Sequence, residues 1–237
     1  MDEISHHAIH IFMESLFKLT SRTNQVFSLE SLASESMLGE DIIRRILDSL
    51  DGEVEPLSTW IGVYWRLTVP RLFLALQLDP GGLEDIINRI EWREFEDLIG
   101  FIMDRWGYEV LRNIRLRLGG ESMEIDLIAV KGSDVLLIEA KKWRRNAMRS
   151  VAESHLRKAK LIRDNWLSVI QKLGIPIHYA HIYPLIVSWK KEETELPIPV
   201  IDIAMLNSFI GDLDSLRTGL PELVASVSGF TARDPYY

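Results

Sequence analysis

The chain contains no cysteine, which excludes disulfides, thiol nucleophiles and thiolate metal sites together. It has no run of 18 uncharged apolar residues, so no membrane-spanning helix is expected. Its first residues, MDEISHH, lack the basic start and apolar core of a secretory signal. Positive charge is also short: 27 Lys+Arg against 35 Asp+Glu give a net charge of -8. These absences lead us to expect a cytoplasmic protein with no membrane partner. The acidic balance argues against a uniformly basic, nucleic-acid-coating surface. Apolar residues are plentiful, at 47% of 237 residues, enough for one large or two small cores.

Two apolar runs, MEIDLIAV and DVLLIEAK, flank the Gly-containing turn KGSD. Strand alternation puts Val135, Leu137, Glu139 and Lys141 on one side, and Leu136, Ile138 and Ala140 on the other. Pairing the runs as a hairpin brings Asp126 beside Glu139. Two carboxylates and an ammonium at one strand end make a divalent-metal site with a charged helper, a set suited to phosphodiester hydrolysis. The plainer alternative is a strand leaving the core for solvent.

Upstream, Trp92 to Trp106 carries Phe95, Leu98, Ile99, Ile102, Met103 and Trp106 at helical spacing, with Gly107 as the stop. Glu96 stands at the rim of that apolar face. A short strand near Tyr108 to Leu111, the run NIRLRL and the turn GGES follow. In this order, FE at residues 95–96, WGYEV, EIDLIA around Asp126 and LIEAK ending at Lys141 resemble the PD-(D/E)xK nuclease superfamily. The likeness is closest to its Mrr-like restriction-endonuclease branch, with some similarity to archaeal Holliday-junction resolvases, and covers roughly residues 91–210.

The resemblance implies a role for each residue. Asp126, Glu139 and the backbone carbonyl of Ala140 would ligate Mg2+ or Mn2+. Glu96 would hold the metal or one of its waters, and Lys141 would position the attacking water and offset charge in the transition state. Two departures stand out. Ile125 occupies a position where proline often precedes the aspartate. The following helix, VAESHLRKAKLIRD, has Glu153 or His155 where many Mrr-like sequences carry glutamine. Either could alter metal stoichiometry; for His155 the favoured reading is an ordinary helix-surface residue.

Charge is unevenly spread. Residues 1–90 contain 7 Lys+Arg and 14 Asp+Glu (-7), residues 91–237 contain 20 and 21 (-1), and residues 139–163 contain 9 and 2 (+7). Lys142, Arg144, Arg145 and Arg149 therefore lie where a DNA backbone would approach the metal, unless they form a solvated helix face. Trp143, interleaved with them, could stack on a base or cover the edge of a core.

The first 78 residues read as a mainly α, winged-helix-like domain. A helix from about Glu3 to Leu19 is followed by two short helices around a Gly-containing turn at residues 37–39, then by a two-stranded wing in VEPLSTWIGVYWRLTV. Glu40 and Asp41 open its candidate recognition helix, so a protein partner or dimer contact fits at least as well as DNA. His6 and His10 share a helix face without a third ligand and read as surface residues near a frayed terminus. Residues 79–91 read as a linker helix. Residues 92–218 read as an α/β, restriction-endonuclease-like core with a mixed sheet of four to five strands, and residues 219–237 as a short helix and loose tail. Pro184 argues for an edge or bulged strand. The expected function is a Mg2+-dependent DNA endonuclease of restriction or repair type, acting as a homodimer. A junction resolvase and a non-catalytic DNA-binding or assembly protein are the alternatives.

Overall fold

The computed structural model describes residues 4–60, 62–142, 148–189 and 195–227. The chain divides into two units, Met1–Leu98 and Ile99–Tyr237.

In the first unit, α1 (His6–Leu19) starts at Ser5, whose side chain accepts from the Ala8 amide at 3.2 Å, and buries Phe12, Met13 and Leu16. Strand β1 (Val26–Ser28), α2 (Leu29–Ser36), α3 (Glu40–Ser49) and the hairpin β2 (Val54–Thr59) and β3 (Gly62–Leu67) follow. The three strands form an antiparallel sheet in the order β1-β3-β2. The expected helices and hairpin are present; β1, three residues long, is too short to show an alternation. In the α2–α3 turn the left-handed residue is Met37 (φ 57°), while Gly39 precedes α3 in an extended conformation. Two further helices, α4 (Arg71–Leu78) and α5 (Leu83–Arg89), complete the unit's N-terminal part.

His10 is half-buried and tied into the fold, not loose at a frayed end. Its Nδ1 lies 2.7 Å from Oδ2 of the buried Asp79, whose Oδ1 accepts from the Gly82 amide at 3.0 Å. A second polar tie centres on Arg71, only 8% exposed. Its guanidinium donates to both oxygens of Glu94, at 2.8 and 2.7 Å, and to the carbonyls of Phe17 and Thr20. Glu94 belongs to α6 (Trp92–Arg105), which buries Phe95, Leu98, Ile99, Ile102 and Met103 along one stripe. Gly107, at φ 78°, ends that helix as the sequence predicts.

Among the described residues, the second unit is built on a mixed sheet of six strands, where four to five were expected. β4 (Glu109–Leu118), β5 (Glu121–Lys131) and β6 (Asp134–Lys141) run as an antiparallel meander. Gly119 and Gly120 form the first two-residue turn with φ of 57° and 84°, the positive angles a twist-matched hairpin requires. α7 (Met148–Asp164) and α8 (Trp166–Leu173) cross to β7 (Tyr179–Ser188), parallel to β6. β8 (Val200–Asp202), α9 (Ile203–Gly211), the short α10 (Leu213–Leu216), a 3-10 turn and β9 (Leu223–Ser226) complete it. Leu116, Ile125, Val135 and Leu137 of the sheet pack with Ala159, Ile162, Trp166 and Val169 of the helices in the main core.

Two expectations are corrected here. β7 is interior, between β6 on one side and β8 and β9 on the other, so Pro184 is in neither an edge strand nor a bulge. On that second side β9 pairs residues 179–182 and β8 pairs residues 186–188. Pro184 falls in the gap, where a missing N–H donor costs no ladder bond. Residues 223–226, expected to be a helix or tail, form β9 instead.

Arg71→Ala would leave Glu94 buried without its partner. We expect a loss of about 3–5 kcal/mol in urea unfolding; a loss below about 1 kcal/mol would show that Glu94 finds compensation without Arg71.

Candidate active site

Strand β6 is buried on both faces from Asp134 to Ala140. Val135, Leu136, Leu137 and Ile138 are each 0% exposed, and about 1.5–3 kcal/mol of hydrophobic stabilisation per side chain fixes the strand that delivers Glu139. The β5–β6 ladder runs from Lys131↔Asp134 to Leu127↔Ile138 and stops there. One strand further out, the β4–β5 ladder omits the pair Asn113–Asp126 and resumes at Ile114↔Ile125. Asn113 has φ 54°, a left-handed conformation that asparagine tolerates better than most residues. Core-facing positions change phase at this point: Leu111 gives way to Ile114 and Leu116 in β4, and Ile128 and Val130 to Ile125 and Met123 in β5.

Asp126 sits at that irregularity. Its Oδ2 accepts from the Ala140 amide at 2.8 Å, taking the place of a ladder bond where the strands part. Glu139 is 7% exposed. Lys141 Nζ donates to its Oε1 at 2.5 Å, and Lys158 Nζ to its Oε2 at 3.2 Å. Lys158, on α7, also donates to the Glu124 carbonyl at 2.8 Å.

His155 is completely buried rather than on the helix surface, which corrects the favoured reading. Its Nε2 is 2.9 Å from the Leu137 carbonyl; a carbonyl only accepts, so Nε2 carries the hydrogen. Nδ1 then faces Glu139 Oε2 at 3.5 Å, beyond ordinary hydrogen-bond length. Glu153, the other candidate, is exposed. A signal for His155 was present in the sequence: Ala152, His155, Ala159 and Ile162 follow helical spacing and form the buried face of α7. Lys158 lies three residues beyond His155, at the rim of that face.

The two carboxylates are pushed in opposite directions. Burial and the neighbouring Glu139 charge raise the Asp126 carboxyl above its usual range, partly offset by the Ala140 amide, Lys141 and Lys158. Burial alone would raise Glu139 as well, but His155, Lys141 and Lys158 outweigh it and hold that carboxyl well below the usual range. The structure thus brings Asp126, Glu139, Ala140 and Lys141 together within the second unit. Glu96 is buried on α6, in the first unit. Lys142 is half-buried, and Arg149 is exposed with its guanidinium 2.9 Å from the Glu195 carbonyl. Trp143, Arg144 and Arg145 lie outside the described residues.

Among the described residues, no three His, Cys, Asp or Glu side chains are arranged to hold a metal, so a cation would rely on Asp126 and Glu139. Two oxygen ligands fit Mg2+, which keeps several waters and commonly binds proteins through one or two carboxylates. The repulsion from Glu139, which adds to burial in raising the Asp126 carboxyl, is what a dication between the two would relieve.

Residues 91–187 match the family model described as a nuclease-related domain. No curated protein matches the chain. Among solved structures it is similar to AF1548, a protein of unknown function, at 15% identity over 53% of this chain and 77% of that one (TM-score 0.32). Protein VC1899 from Vibrio cholerae is 16% identical over 90% of this chain and 52% of its own (TM-score 0.35). An IclR-family transcriptional regulator from Brucella abortus is 14% identical over 76% and 71% (TM-score 0.22). Over residues 91–187 the chain is thus similar to a nuclease-related domain.

Opposite shifts predict opposite stability effects. A carboxyl raised on folding contributes stability below its unfolded value and loses it as pH rises through the folded value, so ionised Asp126 opposes folding at neutral pH. A depressed carboxyl contributes above its unfolded value until pH falls through the folded one, so Glu139 supports folding at neutral pH. In metal-free buffer at pH 7, Asp126→Asn should raise the melting temperature and Glu139→Gln should lower it. Shifts in the same direction would contradict this assignment.

Proposed function

We propose that the protein is a metal-dependent DNA endonuclease of the PD-(D/E)xK type, with its reaction centre at the β5–β6 strand ends. The observation that carries this reading is the convergence of Asp126, Glu139 and Lys141 where the ladder opens, inside a nuclease-related domain. Asp126 and Glu139, with the Ala140 carbonyl, would hold Mg2+ or Mn2+, and Glu96 is the candidate for a further ligand or for holding a metal-bound water. The bound dication would supply Lewis-acid stabilisation of the phosphoryl oxygens and a more acidic water.

The remaining chemistry belongs to the chain. Phosphodiester hydrolysis places negative charge on the phosphoryl oxygens as water attacks and the leaving oxygen departs. The Lys141 ammonium, anchored on Glu139, orients the attacking water and offsets that charge. Lys158 acts through Glu139: it keeps that carboxylate ionised and fixes its direction. Lys142, Trp143, Arg144, Arg145 and Arg149 are proposed to meet the DNA backbone. The N-terminal winged-helix-like module, at -7 over residues 1–90, is better suited to a protein partner or a homodimer contact than to the major groove.

The test uses purified protein with plasmid, linear duplex and four-way-junction DNA, with Mg2+, Mn2+ or EDTA. We expect metal-dependent cleavage, abolished by EDTA and lowered about 100-fold or more in Lys141→Ala, roughly 3 kcal/mol of barrier, with DNA affinity nearly unchanged. Undiminished cleavage by that variant, or cleavage in EDTA, would overturn the assignment. Symmetric nicking of junctions alone would select the resolvase form.

A further inference from the structure

We infer that a groove on the β4–β5 hairpin, centred on Arg115, Arg117 and Lys172, holds the phosphate backbone of the DNA strand beside the reaction centre. This rests on the nuclease reading and assigns it a second set of phosphate contacts, separate from the basic run after Lys141. The groove has a volume of about 500 Å3 and is lined by three consecutive cross-strand pairs, Arg115↔Glu124, Leu116↔Met123 and Arg117↔Ser122, together with Lys172 of α8. Its lining includes three cationic residues and a single carboxylate, Glu124. Arg115 is 3.3 Å from Glu124, and all three cationic residues are exposed. Three other grooves differ in charge: one pairs Arg22 and Arg71 with Glu94 and Asp97, and the other two have an excess of one carboxylate each.

Glu124 links this groove to the reaction centre. It lies two residues before Asp126 on β5, its carboxylate meets Arg115, and its carbonyl accepts from Lys158, which also holds Glu139. A strand with its scissile phosphate at Asp126 and Glu139 that ran toward Glu124 would therefore reach the cations of this groove, two on β4 and one on α8. Positive charge on an edge strand also discourages edge-to-edge pairing, and β4 is an edge. That role does not call for Lys172, which a separate helix brings to the same groove. A groove with a net charge of +2, open to solvent and adjoining a hydrolytic site, has the chemistry of a polyanion track.

The experiment compares wild type with Arg117→Ala/Lys172→Ala on a short fluorescein-labelled DNA duplex in EDTA, with anisotropy followed across a salt series. Neither residue belongs to the catalytic set. The double variant should bind about tenfold more weakly, and its log-log salt dependence should flatten by about two units, one per phosphate contact. The charge-keeping variant Arg117→Lys/Lys172→Arg should retain the wild-type slope, which separates lost charge from disturbed folding. An unchanged slope in the alanine variant, alongside metal-dependent cleavage by wild type, would remove the groove and leave the nuclease reading intact. Wild type that neither binds nor cleaves DNA would overturn both.

Discussion

A single hydrogen bond, from the Ala140 amide to the Asp126 carboxylate at 2.8 Å, organises the candidate site. It forms where the β5–β6 ladder ends, so a side chain satisfies a buried backbone donor that the neighbouring strand no longer reaches. That geometry keeps Asp126 beside Glu139 despite their repulsion. It also fixes the backbone around Ala140, whose carbonyl is the third proposed oxygen ligand. Without it the strand ends could separate freely, and the two carboxylates would lose the close approach that makes them useful together.

Around this bond the charges are arranged to hold one carboxylate firmly and the other less so. Glu139 has Lys141, Lys158 and His155 about it, whereas Asp126 has a backbone amide and more distant cations. A buried carboxylate beside a second one is costly; the lysines offset that cost for Glu139 and leave it largely uncompensated for Asp126. Residual electrostatic strain at one ligand is a common price of a functional site. Under the proposed reaction, the same ammonium groups would meet the charge that develops on a phosphoryl group.

Much of this was legible in the sequence. The continuous apolar run in DVLLIEAK and the KGSD turn mark the hairpin, and the stripe from Phe95 to Met103 marks α6, because such segments state their burial directly. Other features are harder to read. The phase change at Asn113 and Asp126 depends on one left-handed residue, and asparagine in a strand does not announce it. β9 and the interior position of β7 depend on pairing across some forty residues, which local pattern cannot specify, so Pro184 was misread. His155 differs from these: the periodicity that buries it, between Ala152 and Ala159, is present in the sequence, but a polar side chain at such a position does not declare itself buried. Lys158 was hidden within a basic run, where charge alone does not distinguish a residue tied to Glu139 from one in solvent.

The central claim is that Asp126 and Glu139 together form a cation site. The most direct test is a crystal soaked with Mn2+ and measured for anomalous scattering. The account predicts a peak within coordination distance of both carboxylates, lost in a crystal of the Asp126→Asn variant. A fully soaked crystal with no peak there, or with Mn2+ bound only at other carboxylates, would contradict it.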